Sequence, residues 1–197
     1  MKKGLSIAVD IALCLALFAG TWFTRGVSSS EFVTWDEPAW VYRSVKFLMA
    51  LRRGDFAGTA LVGHPGVITM WSGSLSLAWH QFVTHTVSAE QLAAIDALPQ
   101  LEVHDPDTIR LLVSLLPSAK AALPILHAII GVLLFLLVKR LLDRRYAVVA
   151  CLFLALDPYY LGLSRVLHID ALTSGFMLMA IVSVLIYARR GSRLYLV

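Results

Sequence analysis

The stretch LVSLLPSAKAALPILHAIIGVLLFLLVKRLLDRR, residues 112–145, decides the fold class of this chain. Its apolar run ends at Val138 and exceeds the about 20 helical residues that cross a bilayer core. Basic residues follow the run directly, as they do where a membrane span ends. The whole chain agrees, since 58% of its residues are hydrophobic and only 15% are charged, against about a quarter charged in a soluble domain. The sequence therefore predicts an all-α integral membrane protein with several spans.

Four segments are long and apolar enough to be spans, at residues 5–22, 112–138, 146–163 and 171–187. The first resembles a signal peptide in its leading lysines, but its apolar stretch is long and no small-residue cleavage site follows it. We therefore interpret it as an uncleaved span. The chain is then expected to be a single membrane domain over residues 1–197.

The basic clusters predict the orientation of these spans. With four spans, the clusters at residues 2–3, 139–145 and 189–193 share one side, which the positive-inside rule assigns to the cytoplasm. A fifth span at residues 67–83 would separate them. The sequence therefore predicts a cytoplasmic amino terminus, a plasma (inner) membrane location and an extracytoplasmic loop at residues 24–109.

The formal net charge of +4 does not indicate a nucleic-acid partner. Lys and Arg cluster at the ends of apolar runs, where they orient spans, so no nucleic acid is expected. Cys14 and Cys151 lie inside apolar runs, where cysteine behaves as a small hydrophobe. A disulfide or cysteine metal framework is therefore not expected.

The long loop is predicted to carry two amphipathic surface helices. The first starts near Pro38 and runs to about Arg53, with Trp40 and Phe47 on its apolar face. The second covers residues 67–83 and lies at the outer surface. We expect the apolar face of the first helix to lie in the acyl boundary of the membrane, with its cations toward the headgroups.

Two groups in the loop allow a chemical and a structural interpretation. The acidic pair Asp36-Glu37 fits the start of a helix, where carboxylates favour the helix dipole and cap backbone amides. The helix start accounts for the pair by itself, and a proton acceptor is the alternative. His64-Pro65-Gly66 fits a turn before the second helix, and a loop histidine by itself indicates no particular chemistry.

A second polar segment joins the third and fourth predicted spans. Asp157-Pro158 predicts a helix break near the outer end of the third span. Arg165, His168 and Asp170 are ionisable groups at the membrane boundary, and such groups are functional candidates because their burial is costly. The alternative is a structural Arg165–Asp170 pair, or side chains that extend to the headgroups.

All of these groups lie on the same predicted side of the membrane. A lipid-linked phosphate donor presents its phosphate at that depth. An Arg can hold such a phosphate through two parallel hydrogen bonds, and a carboxylate can take the proton from an attacking hydroxyl.

In these features the chain resembles the protein O-mannosyltransferase and aminoarabinose-transferase superfamily, membrane glycosyltransferases of the C-type (family 39-like) fold. Asp36-Glu37 after the first span resembles the family's acidic pair in its first outer loop. His64-Pro65 resembles the family's His-Pro-Pro segment, although Gly66 replaces the second proline.

Two further elements carry the resemblance. RVLHID, from Arg165 to Asp170, is similar to the family's Arg-x-x-x-x-Asp element after the third span. Residues 110–145 resemble the second span and its cytoplasmic turn. The order and common sidedness of these short motifs make the set more specific than any one of them.

The resemblance implies a reaction and a role for each residue. The donor is a polyprenyl- or dolichyl-phosphate sugar, and the acceptor is a hydroxyl on a protein, a lipid or a glycan, with inversion at the anomeric carbon. Some relatives use a divalent metal ion, so this cofactor stays open. The implied roles are Asp36 as catalytic base, Glu37 and His64 as acceptor- or metal-proximal groups, Arg165 as the donor phosphate contact, and His168 and Asp170 as site-shaping groups.

Members of this superfamily have more spans than these four, so the chain is expected to be an amino-terminal portion that is inactive alone. Two other classes stay open. One is a transporter or flippase with Asp10, Asp157 and Arg165 along a pathway through the membrane. The other is a non-catalytic membrane scaffold.

Overall fold

The computed structural model describes residues 2–27, 31–61, 63, 66–101 and 104–196. Over these residues the chain is helical and contains no strand, which confirms the predicted all-α class. The α-helices in chain order are α1 (Lys2–Gly26), α2 (Glu37–Arg53), α3 (Val67–Phe82), α4 (Ala89–Ala97), α5 (Pro106–Lys120), α6 (Leu123–Leu141), α7 (Arg144–Leu156), α8 (Pro158–Leu163) and α9 (Ile169–Arg190).

Three helical stretches of the described chain are long and apolar enough to cross a membrane: Leu5–Gly26, Pro106–Leu141 and Ile169–Arg190. They contain the first, second and fourth predicted spans. The second stretch joins α5 and α6, which are separated only by a short turn. The chain is therefore a multi-pass integral membrane protein.

The predicted third span, residues 146–163, is two helices in the structure, so three helices of spanning length stand where the sequence predicts four. α7 has 13 residues, about 20 Å of helix, which is short of a roughly 30 Å bilayer core. The break falls at Asp157-Pro158, as predicted. Asp157 has extended backbone angles because the proline ring that follows disfavours the helical region, and its side chain accepts a hydrogen bond from the Tyr160 amide at 2.6 Å.

The chain divides into two compact units. The bundle unit comprises residues 1–27, 124–164 and 170–197, and the loop unit comprises residues 28–123 and 165–169. The prediction of a single membrane domain over residues 1–197 stays a prediction.

Packing in the loop unit places α2 against α3 and α5. α2 buries Trp40 and Phe47, because its apolar residues recur on one side of the helix. This face is covered by protein and does not lie open to the acyl boundary, so that prediction is wrong. The amphipathic pattern specifies which side of α2 is apolar, but not what covers it.

α3 approaches α2 closely because the side that it turns inward is made of small residues. Ser74 Oγ donates a hydrogen bond to the Ser44 carbonyl at 2.7 Å, and a Cβ at Gly73 would lie 2.2 Å from Ser44 Oγ. Small residues let helix backbones come together in this way. The large apolar side chains of α3 are exposed, and they are Trp71, Leu75, Trp79 and Phe82. Of these, the Trp71 ring also contacts the Phe47 ring of α2 edge to face, with centroids 5.1 Å apart.

An acidic residue in α1 joins basic residues in the bundle unit. The Asp10 carboxylate accepts hydrogen bonds from Lys139 and, at 2.7 Å, from Arg144 Nε. Arg144 also donates to the hydroxyl of Ser6 at 2.6 Å. These contacts fasten α1 to the end of α6 and the start of α7.

Candidate functional site at the start of α2

The Asp36 carboxylate is exposed at the first turn of α2. Asp36 occupies the N-cap position, but its side chain makes no capping hydrogen bond. The side chain is 65% exposed. The structural interpretation of this residue as a helix cap therefore lacks the hydrogen bond that would define a cap.

The neighbouring Glu37 carboxylate is fully buried, with an exposure of 0%. Its Oε1 lies 2.7 Å from Lys120 Nζ, whose side chain is 3% exposed. Oε1 also accepts the backbone N–H of Leu167 at 2.9 Å, and Oε2 accepts the N–H of Thr34 at 2.8 Å. A buried carboxylate is tolerated only when it is paired and hydrogen-bonded in this way.

Two adjacent carboxylates therefore have opposite environments. Helical geometry turns successive residues about 100° apart, so Glu37 points into the loop unit while Asp36 points out of it. The family resemblance implies that Glu37 lies near the acceptor or a metal. The structure gives both of its oxygens to protein partners.

His168 comes next to Asp36 from a distant part of the sequence. Its Nε2 lies 3.9 Å from Asp36 Oδ2, which is longer than a hydrogen bond but within range of a charge interaction when the ring is protonated. The ring contacts Trp40 edge to face, with centroids 5.9 Å apart. Leu167, whose backbone amide donates to Glu37, directly precedes His168 in the sequence.

The Trp40 ring contacts both the His168 ring and the Arg43 guanidinium. The Arg43 guanidinium stands over the Trp40 ring at 4.7 Å from its centroid, an attractive cation–π geometry. Burial lowers the pKa of Arg43, and the charge of Asp36 opposes this shift. Arg43 and Asp36 are therefore electrostatic neighbours in the loop unit.

Gly66 stands where the resemblance expected a second proline, and the structure gives a steric reason for the glycine. A Cβ at this position would lie 2.6 Å from the Trp40 ring. Trp40 is 1% exposed and its ring cannot turn away without disturbing the core. His64 and Pro65 lie outside the described residues.

The other two predicted site residues lie in the segment that follows α8. Arg165 is half-buried and belongs to the loop unit, in the same segment as His168. Asp170 is exposed in the first turn of α9 and belongs to the bundle unit. A carboxylate in the first turn of a helix interacts favourably with the helix dipole.

A groove of about 310 Å³ opens beside Asp36 in the loop unit. Its walls come from the segment before α2, from the first turn of α2 and from α5, and they are apolar apart from Thr34 and Asp36. The lining residues are Val33, Thr34, Trp35, Asp36, Pro38, Ala39, Ile109 and Val113.

The described residues do not fit a divalent metal ion at this site. No group of three or more His, Cys, Asp or Glu side chains in the described ranges could hold one. Glu37, which the sequence offered as metal-proximal, is engaged by Lys120 and two amides.

Sequence reasoning missed Lys120 as a site residue. It is the one lysine inside the apolar run 112–138, and an ionisable residue within a span is a functional candidate by default. That signal was present in the sequence.

Sequence reasoning also missed a buried cation in the bundle unit. Arg25 follows the first predicted span, which ends at residue 22, and its side chain is 1% exposed. Its guanidinium stands 5.6 Å from the centroid of the Tyr160 ring, and Tyr160 contacts His127 edge to face. Arg25 therefore belongs to the interior of this unit.

Comparison with known proteins gives one family. Residues 110–197 match the family model described as dolichyl-phosphate-mannose-protein mannosyltransferase. The match begins within α5, includes α6 to α9 and spans slightly less than half of the chain. No curated protein and no solved structure matches the chain.

Proposed function

We propose that this chain, which resembles the protein mannosyltransferases in its family match and its membrane helices, belongs to a membrane glycosyltransferase and carries its catalytic base. The enzyme transfers a sugar from a polyprenyl- or dolichyl-phosphate donor to an acceptor hydroxyl on the outer face of the membrane. The observation that carries the proposal is the exposed Asp36 carboxylate, uncapped and beside His168 and an apolar groove.

Asp36 acts as the general base. Its carboxylate takes the proton of the acceptor hydroxyl while the hydroxyl oxygen attacks the anomeric carbon of the donor sugar. The bond between that carbon and the phosphate oxygen breaks, and the lipid phosphate leaves. A single displacement of this kind inverts the anomeric centre. The exposure of Asp36 supports the role, because a base must be reached by its substrate.

Arg165 contacts the donor phosphate, and His168 and Asp170 shape the site. A guanidinium binds phosphate oxygens through two parallel hydrogen bonds and balances the charge that grows on the leaving phosphate. Arg165 is three residues before His168, in the segment that Glu37 ties down at Leu167. That closeness in sequence to the Asp36 neighbour supports a phosphate site near the base.

The orientation follows from the basic clusters. Residues 139–145 and 189–193 are placed in the cytoplasm by the positive-inside rule, with residues 24–109 on the outer face. The acceptor is a hydroxyl on a protein, a lipid or a glycan. The family description favours mannose as the sugar and protein as the acceptor.

The transporter alternative loses support from the contacts of Asp10. This residue is one of the three on which the alternative relied, with Asp157 and Arg165, and it is bound by Lys139 and Arg144. A carboxylate held by two cations is a poor carrier for a passing ion. The scaffold alternative stays as an outcome of the test below.

The test is sugar transfer by membranes that carry the full-length protein, with radiolabelled polyprenyl-phosphate sugars as donors. Asp36→Asn is expected to lower the rate by about 10²–10⁴-fold, the usual contribution of a general base. The control is Asp107→Asn, which removes another exposed carboxylate of the loop unit and is expected to keep the wild-type rate. Equal transfer by wild type and Asp36→Asn would remove Asp36 as the base. Transfer by neither would favour the transporter or the scaffold.

A further inference from the structure

The buried ion pair of Glu37 and Lys120 connects four pieces of the loop unit. Glu37 belongs to the first turn of α2 and Lys120 to the last turn of α5. Glu37 also holds the amides of Thr34 and Leu167, and Lys120 Nζ lies 3.5 Å from the carbonyl of Phe32. The segment before α2 and the segment that contains His168 therefore meet at one carboxylate.

The positions of these contacts in the sequence matter for the site. Asp36 directly precedes Glu37, and His168 directly follows Leu167. The ion pair with Lys120 fixes the Glu37 side chain, and the Glu37 carboxylate in turn fixes the Leu167 amide. Asp36 and His168 are each one residue away from these fixed groups, so few dihedral angles between them are free. The buried contacts of Glu37 therefore set the 3.9 Å separation of the Asp36 carboxylate and the His168 ring.

We infer that Lys120 and Glu37 are positioning residues for the proposed reaction, and that Lys120 holds the Glu37 carboxylate in the orientation that sets the geometry of Asp36 and His168. The kinetic part of this inference rests on the proposed function. The geometric part does not, because the amide of Leu167 reports on it directly.

The positive charge of Lys120 is what keeps the buried Glu37 carboxylate in place. Both side chains are excluded from water, so a neutral residue at 120 would leave the Glu37 carboxylate buried without its cation. The carboxylate would then turn toward water or take up a proton, and in either case its hold on the Thr34 and Leu167 amides would weaken.

The first measurement is hydrogen exchange of the full-length protein in detergent, read for the peptides that cover residues 32–36 and 164–169. In Lys120→Met, the exchange of the Leu167 amide is expected to rise at least tenfold. The peptide that covers α4 should not change, which separates local release from global unfolding. The control is Lys46→Met, since Lys46 also lies near a carboxylate, that of Asp96 at 4.0 Å, but is more exposed.

The second measurement is the kinetics of sugar transfer. Lys120→Met is expected to lower kcat by about 10²-fold, the cost of misplacing a reacting group by about 1 Å, while the donor KM changes little. Lys46→Met should keep both constants. A residue that bound the donor directly would raise KM instead, and a residue needed only for folding would lower the amount of active enzyme and leave kcat per active site unchanged.

A double variant covers the case in which Lys120→Met does not fold. Lys120→Met with Glu37→Gln leaves no uncompensated charge in the core, and such neutral replacements are tolerated. The single side-chain oxygen of glutamine can accept a hydrogen bond from the Thr34 amide or the Leu167 amide, but it cannot replace both carboxylate oxygens. We expect a folded protein with faster exchange at residues 164–169 and reduced kcat.

Two results would overturn the inference. One is wild-type exchange and wild-type transfer in Lys120→Met or in the folded double variant. The other is loss of transfer with unchanged exchange at residues 164–169, which would mean that Lys120 acts on the substrate itself. Faster exchange in a protein whose wild type transfers no sugar would uphold the geometric role and reject the proposed function.

Discussion

Both units of this chain contain a carboxylate that basic side chains of other helices bind, and Glu37 in the loop unit and Asp10 in the bundle unit differ in their access to water. In the loop unit, Glu37 is completely buried with Lys120. In the bundle unit, Asp10 is 16% exposed and is shared by Lys139 and Arg144, each about one third exposed. Glu37 binds two backbone amides in addition to its cation, whereas Asp10 binds two cationic side chains, Lys139 and Arg144.

This difference indicates that the Glu37 contacts set the geometry of the site, whereas the Asp10 contacts join helix ends. Charges that keep some access to water are screened, and losing one partner leaves a group that water can solvate. In a buried pair no water can replace a lost partner, so any movement that separates the two charges costs much free energy. We therefore expect the site to depend on Glu37 and Lys120 and to be tolerant of changes at Asp10.

The largest expected effect on stability comes from Glu37→Leu. This change leaves the Lys120 ammonium buried without its partner, which costs about 3–5 kcal/mol, and frees the amides of Thr34 and Leu167. The measurement is the midpoint of thermal unfolding in detergent, compared with wild type. A midpoint equal to that of wild type would mean that the pair is not sealed from water, and the comparison between the two units would fail.

A second prediction tests how closely the loop unit is packed. Gly73→Ala places a methyl group 2.2 Å from Ser44 Oγ, so α2 and α3 must separate at a cost of about 1–3 kcal/mol. The control is Gly20→Ala in α1 of the bundle unit, where nothing lies within 4 Å of the new Cβ. In a helix interior that change is expected to be neutral or to stabilise by about 0.5–1 kcal/mol. Equal effects at both sites would contradict the close α2–α3 contact.

The smallest effect is expected for Asp10→Asn. The asparagine keeps an oxygen for one of the two cations, and the other can turn to water, so sugar transfer should stay within about twofold of wild type. The same transfer assay checks it beside Asp36→Asn. A loss comparable to that of Asp36→Asn would restore Asp10 as a functional residue and revive the transporter alternative.

The sequence predicted the elements of this fold well where a periodic pattern specified them. The helices near Pro38–Arg53 and at residues 67–83 are found almost at their predicted bounds, because apolar spacing and the Pro38 start define them. The break at Asp157-Pro158 was also predictable from local chemistry. Its consequence for the third span was not, because a hydropathy window counts apolar residues and does not register that Asp157 interrupts the helix.

The sequence singled out Asp36, Glu37 and His168, which the loop unit brings close together, but it missed Lys120. Nothing in the pair Asp36-Glu37 indicates which carboxylate is buried, because that depends on Lys120 and Leu167, far away in the sequence. The burial of the α2 apolar face was missed for the same reason. Amphipathicity identifies a face, and only the tertiary structure identifies its partner.

The central claim is that of two adjacent carboxylates the exposed one reacts and the buried one holds the site together. The most direct measurement compares Asp36→Asn and Glu37→Leu, prepared in parallel, for sugar transfer from polyprenyl-phosphate donors and for thermal unfolding. We predict that Asp36→Asn unfolds at the wild-type temperature and loses transfer by about 10²–10⁴-fold, while Glu37→Leu loses stability and transfer together. Wild-type transfer by Asp36→Asn, or a stable and inactive Glu37→Leu, would contradict the claim.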